Sequence, residues 1–199
     1  MRCKALLFWM SAAGFAAFGL SPVYGQTAIN GGTPSNLSIA VQVRASVASR
    51  CVFTGGGEPN GTRNLGDLTQ PFSTDFPFSL SCNGPARVGV VSDNGGLRTA
   101  TTVQGFASLA AYDVQLTLIG DAGATATAAC QSSTLTSGAA GCGFRGPAGT
   151  TAGLILPGGA TDAPGSFLRV KTPATPTGAV LVGSNSYADR LTVTISPAA

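Results

Sequence analysis

Residues 37–47 read LSIAVQVRASV, and no other stretch constrains the fold as strongly. Leu37, Ile39, Val41, Val43, Ala45 and Val47 take every second position, while Ser38, Gln42, Arg44 and Ser46 take the alternate ones. A period of two is the signature of a strand that buries one face. The alternation is longer than the roughly five or six residues of a usual strand, and no turn residue folds it back on itself. Something must cover its apolar face. Either the segment is one long strand of its own domain, or its first half reaches out and completes the sheet of another molecule.

The same period recurs along the chain. Phe76, Phe78, Leu80 and Cys82 alternate, as do Tyr112, Val114, Leu116 and Leu118, and then Tyr187, Leu191, Val193 and Ile195. Shorter apolar runs at 65–68, 88–92, 167–171 and 180–182 read as further strands. Pro77 marks an edge position or the first residues of a strand, and Asp93-Asn94-Gly95-Gly96 is a strong turn signal. From 120 to 165 the pattern dissolves into Ala, Gly, Thr and Ser around Leu154-Ile155-Leu156, and reads as a long loop or short hairpin. Beyond the first residues no segment carries apolar residues at i, i+3, i+4 and i+7 over three turns. The fold class is therefore all-β, a sandwich in preference to a barrel.

The first 25 residues have the pattern of a removable signal peptide. Arg2 and Lys4 precede an apolar run over residues 5–20, and Val23-Tyr24-Gly25 offers a cleavage site. The run is short for a bilayer span, and Cys3 precedes it and is expected to leave with it. A polar leader with Gly31, Gly32 and Pro34 follows. Without Arg2 and Lys4 the chain holds nine basic residues against eight acidic ones. It therefore lacks the basic stripe that a nucleic-acid partner would want. So little charge also favours self-association. Four cysteines remain, which in an exported chain read as two disulfides. Of three possible pairings we expect Cys51 with Cys82, tying the end of the opening strand to the end of another, and Cys130 with Cys142. Zinc is disfavoured because CxxC pairs and histidine are both missing.

Catalysis finds no constellation here. With no histidine, neither a Ser-His nor a Cys-His pair can be built. The carboxylates Glu58, Asp67, Asp75, Asp93, Asp113, Asp121, Asp162 and Asp189 mostly adjoin turn residues or fall on the outward phase of strands, so a solvated or turn role is expected of them. Asp93 and Asn94 suit a turn better than a calcium site, and the glycines at 55–57 precede no phosphate-binding signature. Aromatic residues such as Phe76, Phe78, Tyr112 and Phe144 are expected in the core. We expect no enzyme activity and no cofactor.

Taken in order, SIAVQVRASVASRC, NLGDL, FSLSC, VVSDNGG followed by Arg98, AYDVQL and SYADRLTVTI resemble the spore coat protein U family, which includes subunits of archaic chaperone-usher pili. The chain departs from that pattern at 120–165, in the pair Cys130 and Cys142, and in its Ser-Pro-Ala-Ala end. The resemblance implies an immunoglobulin-like β-sandwich, incomplete for want of its final strand, over residues 44–199. It implies a leader and donor strand over 26–43, with Leu37, Ile39, Val41 and Val43 entering successive pockets of a neighbouring subunit. Ala45, Val47 and Cys51 would continue into the subunit's own first strand. The implied partners are identical or homologous pilus subunits, a periplasmic chaperone and an outer-membrane usher, and the implied location is a fimbria at the cell surface serving adhesion and biofilm. Two other roles fit the resemblance: a tip or adaptor adhesin binding a surface or glycan, and a spore or cell coat structural protein.

Overall fold

The computed structural model describes residues 42–54, 61–172 and 180–198. Ala45–Ala199 forms one compact unit. The proposed signal peptide and the residues Leu37, Ile39 and Val41 lie outside the described residues.

Ten strands follow in order: β1 (Cys51–Phe53), β2 (Ser73–Cys82), β3 (Ala86–Ser92), β4 (Leu97–Arg98), β5 (Leu109–Ala110), β6 (Asp113–Ile119), β7 (Thr125–Gln131), β8 (Leu154–Leu156), β9 (Thr161–Lys171) and β10 (Leu191–Pro197). They build a five-stranded sheet in the order β1-β2-β9-β6-β7, a three-stranded sheet in the order β10-β3-β8, and the small pair β4-β5. All these ladders are antiparallel. The only helices among the described residues are two short 3-10 turns. The fold is thus all-β, consistent with a β-sandwich.

Alternation sets the core. β2 turns Phe76, Phe78, Leu80 and Cys82 inward, β6 turns Val114, Leu116 and Leu118, and β9 turns Leu168 and Val170. From the three-stranded sheet come Val88, Val90 and Leu156. Phe53 of β1 meets Phe78 edge-on, with ring centroids 5.8 Å apart, a favoured aromatic geometry. Pro77 pairs with Phe167 of β9 on one side only, because β1 reaches no farther along β2 than Leu80. The proline therefore sits on a locally free edge, where its missing N–H costs no ladder bond.

Four expectations change. Residues 45–50 do not extend β1; they form no strand, and Val47 is 85% exposed. In the antiparallel register Cys51 faces Cys82, so earlier residues would need partners beyond the end of β2. The Asn83 side chain ends the ladder instead: its amide oxygen accepts the Arg50 N–H and its NH2 donates to the Ala48 carbonyl. Residues 65–68 also form no strand, and of 180–182 Leu181 alone makes an isolated bridge, parallel to Ala107. Finally, the Ala- and Gly-rich region is ordered over residues 120–165. It contains β7, whose Ala126, Ala128 and Cys130 alternate against the core, and it buries Leu135 and Phe144 completely. Past Phe144 it lies against β3, where the Val90 N–H donates to the Phe144 carbonyl and the Gly146 N–H to the Val90 carbonyl. Small residues make that approach possible, since a Cβ on Gly89 would come within 2.7 Å of the Ala148 backbone nitrogen.

Disulfides join Cys51 to Cys82, between β1 and β2, and Cys130 to Cys142, between β7 and the loop that carries Phe144.

Candidate functional site

β10 is an edge strand: β3 pairs with one side of it, and among the described residues no strand pairs with the other. Its register decides which groups face the open side. The Asp93 N–H donates to the Arg190 carbonyl, and the Ala198 N–H to the Pro85 carbonyl. Bonded pairs alternate in an antiparallel ladder. The even-numbered residues of β10 therefore bond β3, and Leu191, Val193 and Ile195 turn their N–H and C=O groups to the open edge. The side chains of the same three residues pack, only partly buried, against the core.

Beside this edge lies a groove of about 1150 Å³. Its floor and sides include Leu191 and Val193 of β10, Phe76 of β2, Leu168 and Val170 of β9, and Leu97 of β4. These apolar residues come from both main sheets, so the groove opens directly onto the core. Residues 61–69 line it as well, with Leu65 and Leu68 against the core and the Arg63 guanidinium 5.8 Å from the centre of the Phe76 ring. The loop 181–190 also lines it.

Backbone bonds tie that loop to its neighbours, Ala188 to Arg98 and the Val182 N–H to the Ala107 carbonyl, and the Asp189 carboxylate collects the side-chain bonds at its end. Asp189 Oδ2 accepts hydrogen bonds from the Ser92 hydroxyl at 2.6 Å and from the Tyr112 phenol. Asp189 Oδ1 accepts the backbone N–H groups of Asn94 at 3.1 Å and Arg190 at 2.8 Å. Ser92 Oγ in turn accepts the Gly95 N–H, and Ser132 Oγ donates to the Gly95 carbonyl while accepting the Tyr112 N–H. Gly95 has φ of +71°, which a side chain would strain. Burial pushes the Tyr112 phenol far above its usual range, and the Asp189 carboxylate adds to the effect. Four strand ends thus meet on Asp189.

From its local sequence Asp189 reads like the other carboxylates, as a solvated or turn residue, and no such role is apparent. The signal was present: Asp189 shares the inward phase of Tyr187, Leu191 and Val193. The expectation does describe Asp75, whose exposed carboxylate is gripped by both nitrogens of Arg169 across the β2–β9 ladder, and Asp67, which accepts the Thr69 N–H in a local turn. Among the described residues no group of three His, Cys, Asp or Glu side chains could hold a metal ion.

Of the four residues expected to act as a donor strand, the described one, Val43, is 87% exposed. Residues 42–50 carry that exposure up to the start of β1. Val43 and Val47 are thus uncovered, and β10 has an edge that no described strand covers. Compared with known proteins, the chain matches no protein-family model, no curated protein and no solved structure.

Proposed function

We propose that this chain is a structural subunit of a secreted chaperone-usher fimbria that polymerises by donor-strand complementation. The observation that carries the reading is the free edge of β10 beside a groove partly lined by apolar core residues. Strand addition to an exposed sheet edge is an established mode of recognition, used in chaperone–pilin complexes: main-chain bonds supply affinity and alternate side chains fill pockets. The sandwich is then immunoglobulin-like and lacks its last strand, and residues 37–43 of a neighbouring copy supply it. The lengths agree. The donor and β10 each have seven residues, and span roughly 23 Å as strands.

Burial of Leu37, Ile39, Val41 and Val43, at about 1.5 to 3 kcal/mol each, gives on the order of 10 kcal/mol before ordering costs. That rivals the net stability of a whole domain. A lone subunit with its edge open is prone to aggregation. For this reason the reading includes a periplasmic chaperone that covers the groove and an outer-membrane usher at which one subunit's donor replaces it. The fibre on the cell surface would support adhesion and biofilm.

A tip or adaptor role is favoured by a different observation. Val103, Phe106, Leu109 and Val180 are all exposed, and the Ala107 N–H bonds the Val180 carbonyl, which brings the two segments together. Light scattering and negative-stain microscopy of the protein with and without residues 26–43 test the first reading. Fibres or heat-resistant oligomers that vanish on truncation support it. A monomer in both cases, together with binding of a single surface or glycan, would replace it with the second.

A further inference from the structure

Two parts of the groove lining are held in different ways. β10 is laddered to β3 along its length. Residues 61–69, which also line the groove, make no hydrogen bond to any other described element. The Gly66 N–H bonds Asn64 Oδ1, the Thr69 N–H bonds Asp67 Oδ1, the Gln70 N–H bonds the Asp67 carbonyl, and Arg63 reaches only the neighbouring Thr62 carbonyl. These bonds preserve the segment's own turn and do not fix it to the body. Its attachment rests on the partly buried Leu65 and Leu68 and on Arg63 beside Phe76.

We propose that residues 61–69 are a displaceable strap. In the free subunit Leu65 and Leu68 cover part of the apolar floor, and an incoming donor strand lifts them as it zips along β10. The inference rests on the groove being a strand acceptor, and its occupant is residues 37–43 of a second copy. The exchange is favourable for a stated reason. The strap offers the groove side chains only, whereas a strand offers alternating side chains and also bonds the open N–H and C=O groups of Leu191, Val193 and Ile195. Because the strap's turn is bonded internally, it can leave without exposing broken hydrogen bonds. Its weak grip shields the groove from water and non-specific contacts while leaving a low barrier to the right partner. The strap would thus govern how fast a donor enters more than how tightly it finally binds.

The test uses the full chain carrying Ile39→Asp and Val41→Asp, so that its own donor cannot polymerise, and a fluorescent peptide of residues 37–47. Peptide binding is followed by anisotropy in stopped flow. In a second protein Leu65→Trp reports on the strap, since the one native tryptophan, Trp9, lies in the proposed removable signal peptide. Three results are expected. The peptide binds, the Trp emission shifts to the red with the same time course, and Leu65→Ala with Leu68→Ala raises the association rate on the order of tenfold, the equivalent of about 1.4 kcal/mol in barrier. Binding with an unmoved Trp signal, or a rate unchanged or lowered by the double alanine variant, would make the strap a fixed wall and overturn the inference while leaving the acceptor reading intact. If the peptide binds to none of the proteins, both fall.

Discussion

Asp189→Ala is the most informative single change outside the donor, because the structure allows its cost to be worked out. The substitution leaves the Ser92 hydroxyl and the Tyr112 phenol, in residues 1% and 3% exposed, without an acceptor. Each stranded buried group costs about 1 to 3 kcal/mol. The N–H groups of Asn94 and Arg190 lie nearer the surface and can turn to water. Relief from holding a half-buried carboxylate offsets part of the loss, so the net destabilisation should be about 2 to 4 kcal/mol. For a unit of this size that lowers the melting midpoint by roughly 5 to 12 °C. Asp189→Asn should cost less, about 1 to 2 kcal/mol, since its oxygen can face the two N–H groups while its NH2 faces the hydroxyl oxygens. The assay is urea unfolding followed by circular dichroism, in the Ile39→Asp, Val41→Asp background. Repeating Asp189→Ala on top of Tyr112→Phe should reduce its cost by about 1 kcal/mol or more, because the two residues share one contact. Because Asp189 also bonds the end of the loop that lines the groove, the donor peptide should bind more weakly to Asp189→Ala. A loss below about 0.5 kcal/mol, the range of an ordinary surface substitution, or strict additivity with Tyr112→Phe, would refute the carboxylate as the group that holds these strand ends together.

Alkaline unfolding gives a second check. The fold holds the Tyr112 phenol protonated well above its ordinary value of 10.0, so its contribution is complete below that pH and is lost as pH rises beyond it. Tyr112→Phe should therefore flatten the fall of stability above about pH 10, measured as a difference from the parent; identical profiles would contradict the buried phenol. Replacing Cys130 and Cys142 together by serine opens a loop with a sequence separation of 12 and should cost about 3 kcal/mol in denaturant titrations on the loop-entropy model, with Phe144 more accessible to hydrogen exchange around it. Asp75→Asn should barely move the melting midpoint at neutral pH, because the Asp75–Arg169 pair is exposed. The Arg169 hydrogen bond holds the Asp75 carboxyl below its ordinary value, so any stabilisation is present above that value and fades as pH falls through the lowered one. Ile39→Asp with Val41→Asp should abolish fibres seen by microscopy yet leave the thermal stability of chaperone-bound subunit unchanged; persistent fibres would dismiss these residues as the donor.

Period-two alternation located the strands that carry the core, since a strand half-buried against one core needs an apolar residue at every second position and that requirement is written locally. β2, β6 and β10 were legible for this reason. β7 was harder, because its inward residues are Ala126, Ala128 and Cys130, and alanine alternating with threonine hardly contrasts in hydropathy. Asp189 was misread because its acceptors' partners, Ser92 and Tyr112, are distant in sequence and an isolated carboxylate looks solvated. The alternation of residues 37–47 said that a face needs covering, but could not say by what. Only the tertiary structure decided where pairing stops: β2 ends at Cys82, Asn83 ends the ladder through its bonds to Ala48 and Arg50, and residues 45–50 are left without a strand partner. It alone also decided that β10 has one bonded side and one open one, because which edge of a strand is free depends on the order of strands in the sheet. That order is set by contacts between residues far apart in the chain, such as Leu191 with Ser92, and no local pattern records it.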